Sequence, residues 1–201
     1  MAGFNVGTVI STSVHEAYPG HYVQFLWLNQ FPSTVRKLLG ANSNIEGWAH
    51  YTEQMMLDEG YAAAPANATP AQAREARLIR LGQLQDALLR DARFINCIKL
   101  HTGLGEASGN WTIDQAVDLF VKEGYQSRSV GLVETKRGTS DATYLYYTLG
   151  KLEIMKLRED LKKKEGSAFN LQGFHDTLMR QGFAPIKIIR QAMLHDGSPV
   201  L

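Results

Sequence analysis

One cysteine in 201 residues, Cys97, leaves no partner for an intrachain disulfide, so the fold must stand on packing alone. No apolar run approaches the roughly 20 residues that a membrane helix needs, and no membrane span is expected. The opening stretch MAGFNVGTVISTSV lacks the charged lead and cleavage pattern of a secretory signal. A cytosolic chain reads this way, but so does a fragment of a secreted or periplasmic parent, and the compartment stays open. An excess of charge is missing too: 21 basic against 20 acidic residues leave a formal +1. That balance excludes bulk attraction to nucleic acid or an anionic membrane. Strand patterning is almost absent; only residues 8–10 would suit a short edge strand, and no internal repeat occurs.

What is present is helical periodicity in a chain that is 44% hydrophobic, enough for one domain over residues 1–201 with a sizeable core. Ser33 can cap a short helix that stops at Gly40, and Asn42 or Ser43 a helix over about 44–59 that Gly60 ends. Residues 61–70, YAAAPANATP, read as a loop. The longest pattern covers 71–100, where Leu81, Leu84, Leu88, Ala92, Ile95 and Ile98 recur at three and four residues and predict the core face of one helix. Thr112 and Gln115 form a capping box. Asp141 can cap the following helix, with Leu145, Leu149 and Leu152 as its buried stripe and Tyr147, Lys151, Ile154 and Arg158 on another face. Gly182 and Pro185 separate the last two helices.

Chemistry concentrates in HEAYPGHYVQ, residues 15–24. In an H-E-x-x-H helix the two histidines lie about 40° apart around the axis, whereas the six-residue step from His15 to His21 gives roughly 240°. An unbroken helix would therefore point the rings apart. Pro19 breaks the helix and Gly20 supplies permissive backbone, so the chain must turn between the histidines, and that turn can bring them back together. Catalytic zinc asks for three protein ligands and an open position. The stretch NIEGWAHYTEQ offers Glu46, His50 and Glu53 on one helix face for the third. Glu16, beside the first histidine, suits a general base. The bland readings are histidines bonded to turn backbone and a Glu46 that serves only the positive end of its own helix.

Four ordered stretches, HEAYPGHYVQ, IEGWAHYTEQMMLDEGY, RGTSDATYLYYTLGKLEIMKLRED and FHDTLMRQGFAPIKIIRQAML, resemble the C-terminal half of a bacterial family of HEAxPGH zinc metallopeptidases known as domain of unknown function 885. The resemblance covers nearly the whole chain. It implies an all-α, multi-helix, gluzincin-like peptidase half in which His15, His21 and Glu46 bind Zn²⁺ and Glu16 is the base. It further implies that Tyr147 donates to the transition state and, more weakly, that Arg137 anchors a substrate carboxylate, with His50 and Glu53 as outer residues that orient ligands or touch substrate. The substrate implied is a peptide. Two departures stand out: many members carry an aspartate and a histidine where this chain has His101 and Gly105, and members are usually far longer. The chain is expected to be the C-terminal part of a longer protein, packing against an N-terminal region or a second copy of itself. The alternative function is a non-catalytic, metal-retaining helical module that acts by such association, for which Met55, Met56 and Trp27, if exposed, would suit an interface. His175 is expected to order the C-terminal helices, while His101 and His195 have no supporting constellation.

Overall fold

Cap and turn chemistry sets most helix boundaries in the computed structural model, which describes residues 5–104 and 111–201. Thr69 with Gln72 and Thr112 with Gln115 close reciprocal capping boxes, starting α5 (Pro70–Thr102) and α6 (Ile113–Lys122). Gly103 ends α5 in the left-handed region at φ +64°. The remaining helices are α1 (Val6–Glu16), α2 (His21–Asn29), α3 (Thr34–Leu38), α4 (Asn42–Asp58), α7 (Arg128–Ser140), α8 (Tyr146–Glu165), α9 (Leu171–Met179) and α10 (Ile186–Leu194). The fold is all-α, and no strand occurs among the described residues.

Residues 8–10, allowed above as an edge strand, lie inside α1. The β-branched run is overruled by a local cap: Asn5 Oδ1 accepts from the Thr8 N–H at 3.0 Å and Thr8 Oγ1 accepts from the Asn5 N–H at 3.1 Å. Burial of Thr8, Ser11, Val14 and His15 then follows a helical period. Asp141 also differs from expectation. It ends α7, and its Oδ1 accepts from the Thr143 N–H at 3.0 Å, so α8 starts five residues later at Tyr146.

Contacts divide the chain into two compact units, Met1–Thr12 with Leu57–Thr148 (unit 1) and Ser13–Met56 with Leu149–Leu201 (unit 2). In unit 2 the core gathers Trp48, Tyr51 and Met55 of α4, Ile154, Leu157 and Leu161 of α8, and the inner faces of α9 and α10. Trp27 and Met56 pack against this cluster, so these residues and Met55 build core and not an interface. The buried stripe of α8 here is Gly150, Ile154, Leu157 and Leu161, while Leu152 is exposed, so the predicted stripe sits on the wrong face. The reason is close approach. A Cβ on Gly47 would stand 2.5 Å from the Gly150 Cα, and one on Gly150 would stand 1.7 Å from the Ser43 carbonyl oxygen. Backbone meets backbone where α4 crosses α8, and the glycines, which carry no hydrophobic signal, decide which face turns inward.

Unit 1 repeats the lesson on α5. Its buried residues include Ile79, Gly82, Gln83, Ala87, Ala92, Asn96 and Cys97, whereas Leu81 (59%), Leu84 (45%) and Ile95 (39%) of the predicted core stripe are exposed. Gly82 lies against Gly7 of α1: a Cβ on Gly82 would stand 2.5 Å from the Gly7 carbonyl carbon, and one on Gly7 would stand 2.6 Å from the Leu78 carbonyl oxygen. Asn96 is buried because it is satisfied: its Nδ2–H donates to the Ala116 carbonyl at 3.0 Å and its Oδ1 accepts from the Trp111 indole at 2.8 Å. Arg93 grips Glu134 of α7 with two bonds of 2.7 and 2.8 Å.

Candidate metal centre

The chain leaves α1 after Glu16 and re-enters helix at His21, with Ala17, Tyr18, Pro19 and Gly20 between. Gly20 is demanded by space: a Cβ there would lie 1.8 Å from the His15 carbonyl oxygen, and the Gly20 N–H donates to the Val14 carbonyl at 3.0 Å. The turn thus folds tightly back on the end of α1. His15 and His21 meet edge to face, with ring centroids 4.8 Å apart and planes at 88°. The predicted break between the histidines is present, and it brings the rings together.

Two polar clamps hold this turn and α2 on α4. The Trp48 indole N–H donates to the Pro19 carbonyl at 2.9 Å, and the Gln24 amide donates to Asn44 Oδ1 at 3.3 Å. Asn44 in turn donates to the carbonyls of Gly182 and Ala184 at 3.0 and 2.8 Å. Glu46 lies between Asn44 and Trp48 in sequence. Its Oε2 stands 3.3 Å from His15 Nε2 and 3.3 Å from His21 Nε2. These clamps escaped the sequence reading, although a glutamine inside the apolar run HYVQFLWL was a usable signal.

His15, His21 and Glu46 form a group whose ligand-type atoms all lie within 4.8 Å of one another. The group is suited to a metal ion on three counts. Two imidazole nitrogens and a carboxylate oxygen are a donor set that zinc accepts. Two donors each about 2.0–2.1 Å from one tetrahedral ion stand about 3.3 Å apart, which is the spacing of Glu46 Oε2 from each ring. Glu46 Oε2 is also buried without a well-formed hydrogen bond, and such an atom is costly unless something meets it. Burial acts to raise the Glu46 carboxyl, but the adjacent His15 and His21 outweigh it and hold the group down at about 2.

Behind His15 lies a second carboxylate. Glu53 Oε1 is 2.6 Å from His15 Nδ1, and Glu53 Oε2 is 3.4 Å from His50 Nδ1. Glu53 and His50 are both fully buried. An anion on Nδ1 fixes that nitrogen as the protonated one and leaves Nε2 with its lone pair, so His15 presents its ligating nitrogen beside Glu46. The i, i+4 and i+7 spacing on α4 delivers Glu46, His50 and Glu53 from one face, as the sequence indicates.

Glu16 is exposed at the last position of α1, next to His15. Tyr147 and Arg137 belong to unit 1. There the Tyr147 ring lies beneath the guanidiniums of Arg90 and Arg93, at 5.7 and 5.3 Å, and its hydroxyl bonds Arg137. Arg137 also reaches the Tyr146 hydroxyl at 3.5 Å. His175 ties α9 to α4 through a 2.9 Å bond between its Nε2 and the Tyr51 hydroxyl, His101 donates to the Gly138 carbonyl at 2.7 Å, and His195 ends α10. Gly105 lies outside the described residues.

Similarity to known proteins is consistent with this architecture. A solved protein of unknown function from Shewanella oneidensis, provisionally named a lipoprotein, matches 94% of this chain at 32% identity and a TM-score of 0.79. A second from Colwellia psychrerythraea, also provisionally named a lipoprotein, matches 94% at 27% identity and a TM-score of 0.80. The chain spans 32% and 30% of those two proteins. No curated protein matches it. The family model described as bacterial protein of unknown function (DUF885) matches residues 1–193, and the chain therefore belongs to that family.

Proposed function

We propose that this chain carries the metal-binding part of a zinc-dependent peptidase, with His15, His21 and Glu46 holding the ion. The single observation that carries the reading is the convergence of two imidazoles on one buried carboxylate oxygen at equal 3.3 Å distances, from a six-residue step that a regular helix would splay apart. Bound there, Zn²⁺ supplies a Lewis acid and lowers the pKa of a coordinated water, the chemistry that amide hydrolysis needs. Glu16 acts as the base: it takes a proton from the water that attacks the peptide carbonyl carbon and returns it to the departing amine nitrogen as the C–N bond breaks. Glu53 holds His15 in the productive tautomer. The lipoprotein description of the two solved relatives is compatible with a secreted or periplasmic parent.

Elemental analysis of purified protein tests the reading directly, with about one zinc per chain expected. His21→Ala should lose the metal, whereas Glu16→Gln should retain it while peptide hydrolysis falls about 10²–10⁴-fold. No metal in the parent chain after zinc loading would end the proposal, and loss of metal in Glu16→Gln would make Glu16 a ligand. The donor role that family resemblance implies for Tyr147 has its own test. Tyr147→Phe should lower kcat about 10²–10³-fold, and a change within a factor of two would leave the hydroxyl only its bond to Arg137.

A second reading has one observation in its favour. Val6 and Val9 of α1 and Leu78, Leu81 and Leu84 of α5 are exposed within unit 1, an apolar display expected of a module that works by association. Metal retention with no hydrolysis of any peptide in a broad library would favour it.

A further inference from the structure

Unit 2 contains a cleft that the metal reading does not use. Its volume is about 520 Å³, within the range of small-ligand sites. Three aromatic rings wall it, from Tyr18 in the turn between the histidines, Trp27 on α2 and Trp48 on α4, and Met55 and Met179 line it as well. Three polar residues of α9 complete it, Gln172, His175 and Asp176.

The charge of the cleft follows from its neighbours. Burial, helped by the nearby Arg158 charge, pushes His175 down to about 4, so the imidazole is neutral at pH 7. Arg158 donates to the Tyr51 hydroxyl at 3.3 Å, which directs the Tyr51 proton toward His175 Nε2 at 2.9 Å. Asp176 is half-buried, and its carboxylate takes part in no ion pair or side-chain hydrogen bond among the described residues. Arg180 already demonstrates what these rings attract: its guanidinium stacks 5.4 Å from the Trp27 ring centre. The cleft therefore combines aromatic side chains, methionines and one carboxylate without an ion-pair partner among the described residues.

We propose that this cleft binds the side chain of a lysine or arginine presented by a peptide, its methylene stem against the indoles and its cationic head at Asp176. The chemistry is that of an aromatic cage, in which electron-rich faces and a carboxylate jointly replace the hydration of a cation. The proposal does not depend on metal binding. It has a structural consequence nonetheless, since Tyr18 and Pro19 form part of the wall and Trp48 holds the Pro19 carbonyl. An occupant would therefore rest against the same turn that brings His15 and His21 together.

The three tryptophans make the test self-controlled. Indole N–H signals of Trp27 and Trp48 report on the cleft by NMR, and Trp111, in unit 1 with Lys99 stacked at 4.1 Å from its ring centre, serves as the internal reference. The probes are the N-acetyl amides of lysine, norleucine and glutamate. Lysine amide is expected to shift Trp27 and Trp48 saturably and at least about tenfold more tightly than norleucine amide, its uncharged carbon counterpart, leaving Trp111 in place. Asp176→Asn should weaken lysine binding about tenfold, and Arg180→Ala should strengthen it by removing a competing cation. Equal affinity for lysine and norleucine amides would overturn the charge assignment. A preference for the glutamate amide, or no saturable shift of either cleft tryptophan with any probe, would overturn the site. Should Asp176→Asn fail to fold, the lysine to norleucine ratio on the unmodified chain and the Arg180→Ala result decide alone.

Discussion

In unit 2, α8 turns Ile154, Leu157 and Leu161 inward, while in unit 1 α5 leaves Leu78, Leu81, Leu84 and Ile95 outside. In unit 2, Ile154 and Leu157 of α8 are fully buried among residues of α4, α9 and α10. In unit 1, the buried face of α5 is made of glycine, alanine, glutamine and asparagine as much as of isoleucine, and Leu81 is 59% exposed. Both helices have leucines at helical spacing. The difference teaches that periodicity locates a helix but does not by itself choose the face that packs, because a crossing made through glycine outweighs side-chain hydrophobicity. The contrast extends to chemistry: His15, His21, Glu46, His50 and Glu53 all lie in unit 2, whereas the arginines around Tyr147 lie in unit 1.

The sharpest way to break this comparison is a pair of truncations. Leu157→Ala should cost about 2–5 kcal/mol of stability, since it opens a cavity in a closed core. Leu81→Ala should stay within about 0.5 kcal/mol. Chemical denaturation of both variants checks the difference, and similar losses would mean that unit 1 buries its leucines in solution.

A second pair compares two carboxylates held by cationic or histidine partners, one in each unit. Glu53→Gln keeps the size of the side chain and removes the anion behind His15, so zinc affinity should fall about 10–100-fold. Glu134→Gln, which weakens the grip on Arg93 in unit 1, should leave zinc affinity unchanged. Competition with a chromophoric chelator measures both. Equal affinities for Glu53→Gln and the parent would deprive Glu53 of its orienting role.

The smallest expected effect is a pH dependence specific to unit 2. The His175 pKa is about 4 in the folded chain and about 6.5 in an unfolded one, so the unfolded state binds more protons between those values. Its contribution to stability is complete above about pH 6.5, declines as pH falls toward 4, and changes no further below that. Glu46, held at about 2 with burial opposing its two histidines, has a separate window. Its stabilisation is present above its unfolded value of about 4.3 and is lost as pH falls toward 2. Thermal melts of metal-free protein from pH 7 to 4 should show the first decline, and His175→Gln should flatten it.

Most of the helical order and most of the candidate centre were legible in the residues. Capping boxes, the Pro19–Gly20 break and the α4 spacing each act over a few neighbours, where local sterics and hydrogen bonds dominate. Residues 8–10 have β-branched composition that suits a strand, but the Asn5–Thr8 cap, a pairing visible in the sequence, places them in a helix. The buried faces of α5 and α8 are not legible locally for a different reason: the decisive contacts, Gly7 with Gly82 and Gly47 with Gly150, join residues about 75 and 103 positions apart.

By itself, then, the sequence determined that this protein is built from helices, that the chain must break between His15 and His21, and that Glu46, His50 and Glu53 share one helix face. These follow from backbone geometry within a few turns. Only the tertiary structure decided that the break brings the rings to 4.8 Å, that Glu46 stands equidistant from both while Glu53 backs His15, and that Trp48 and Gln24 clamp α2 onto α4. Those outcomes depend on which helix surfaces approach closely enough to exclude water, and that choice rests on glycines and buried amides whose partners lie far away in the chain.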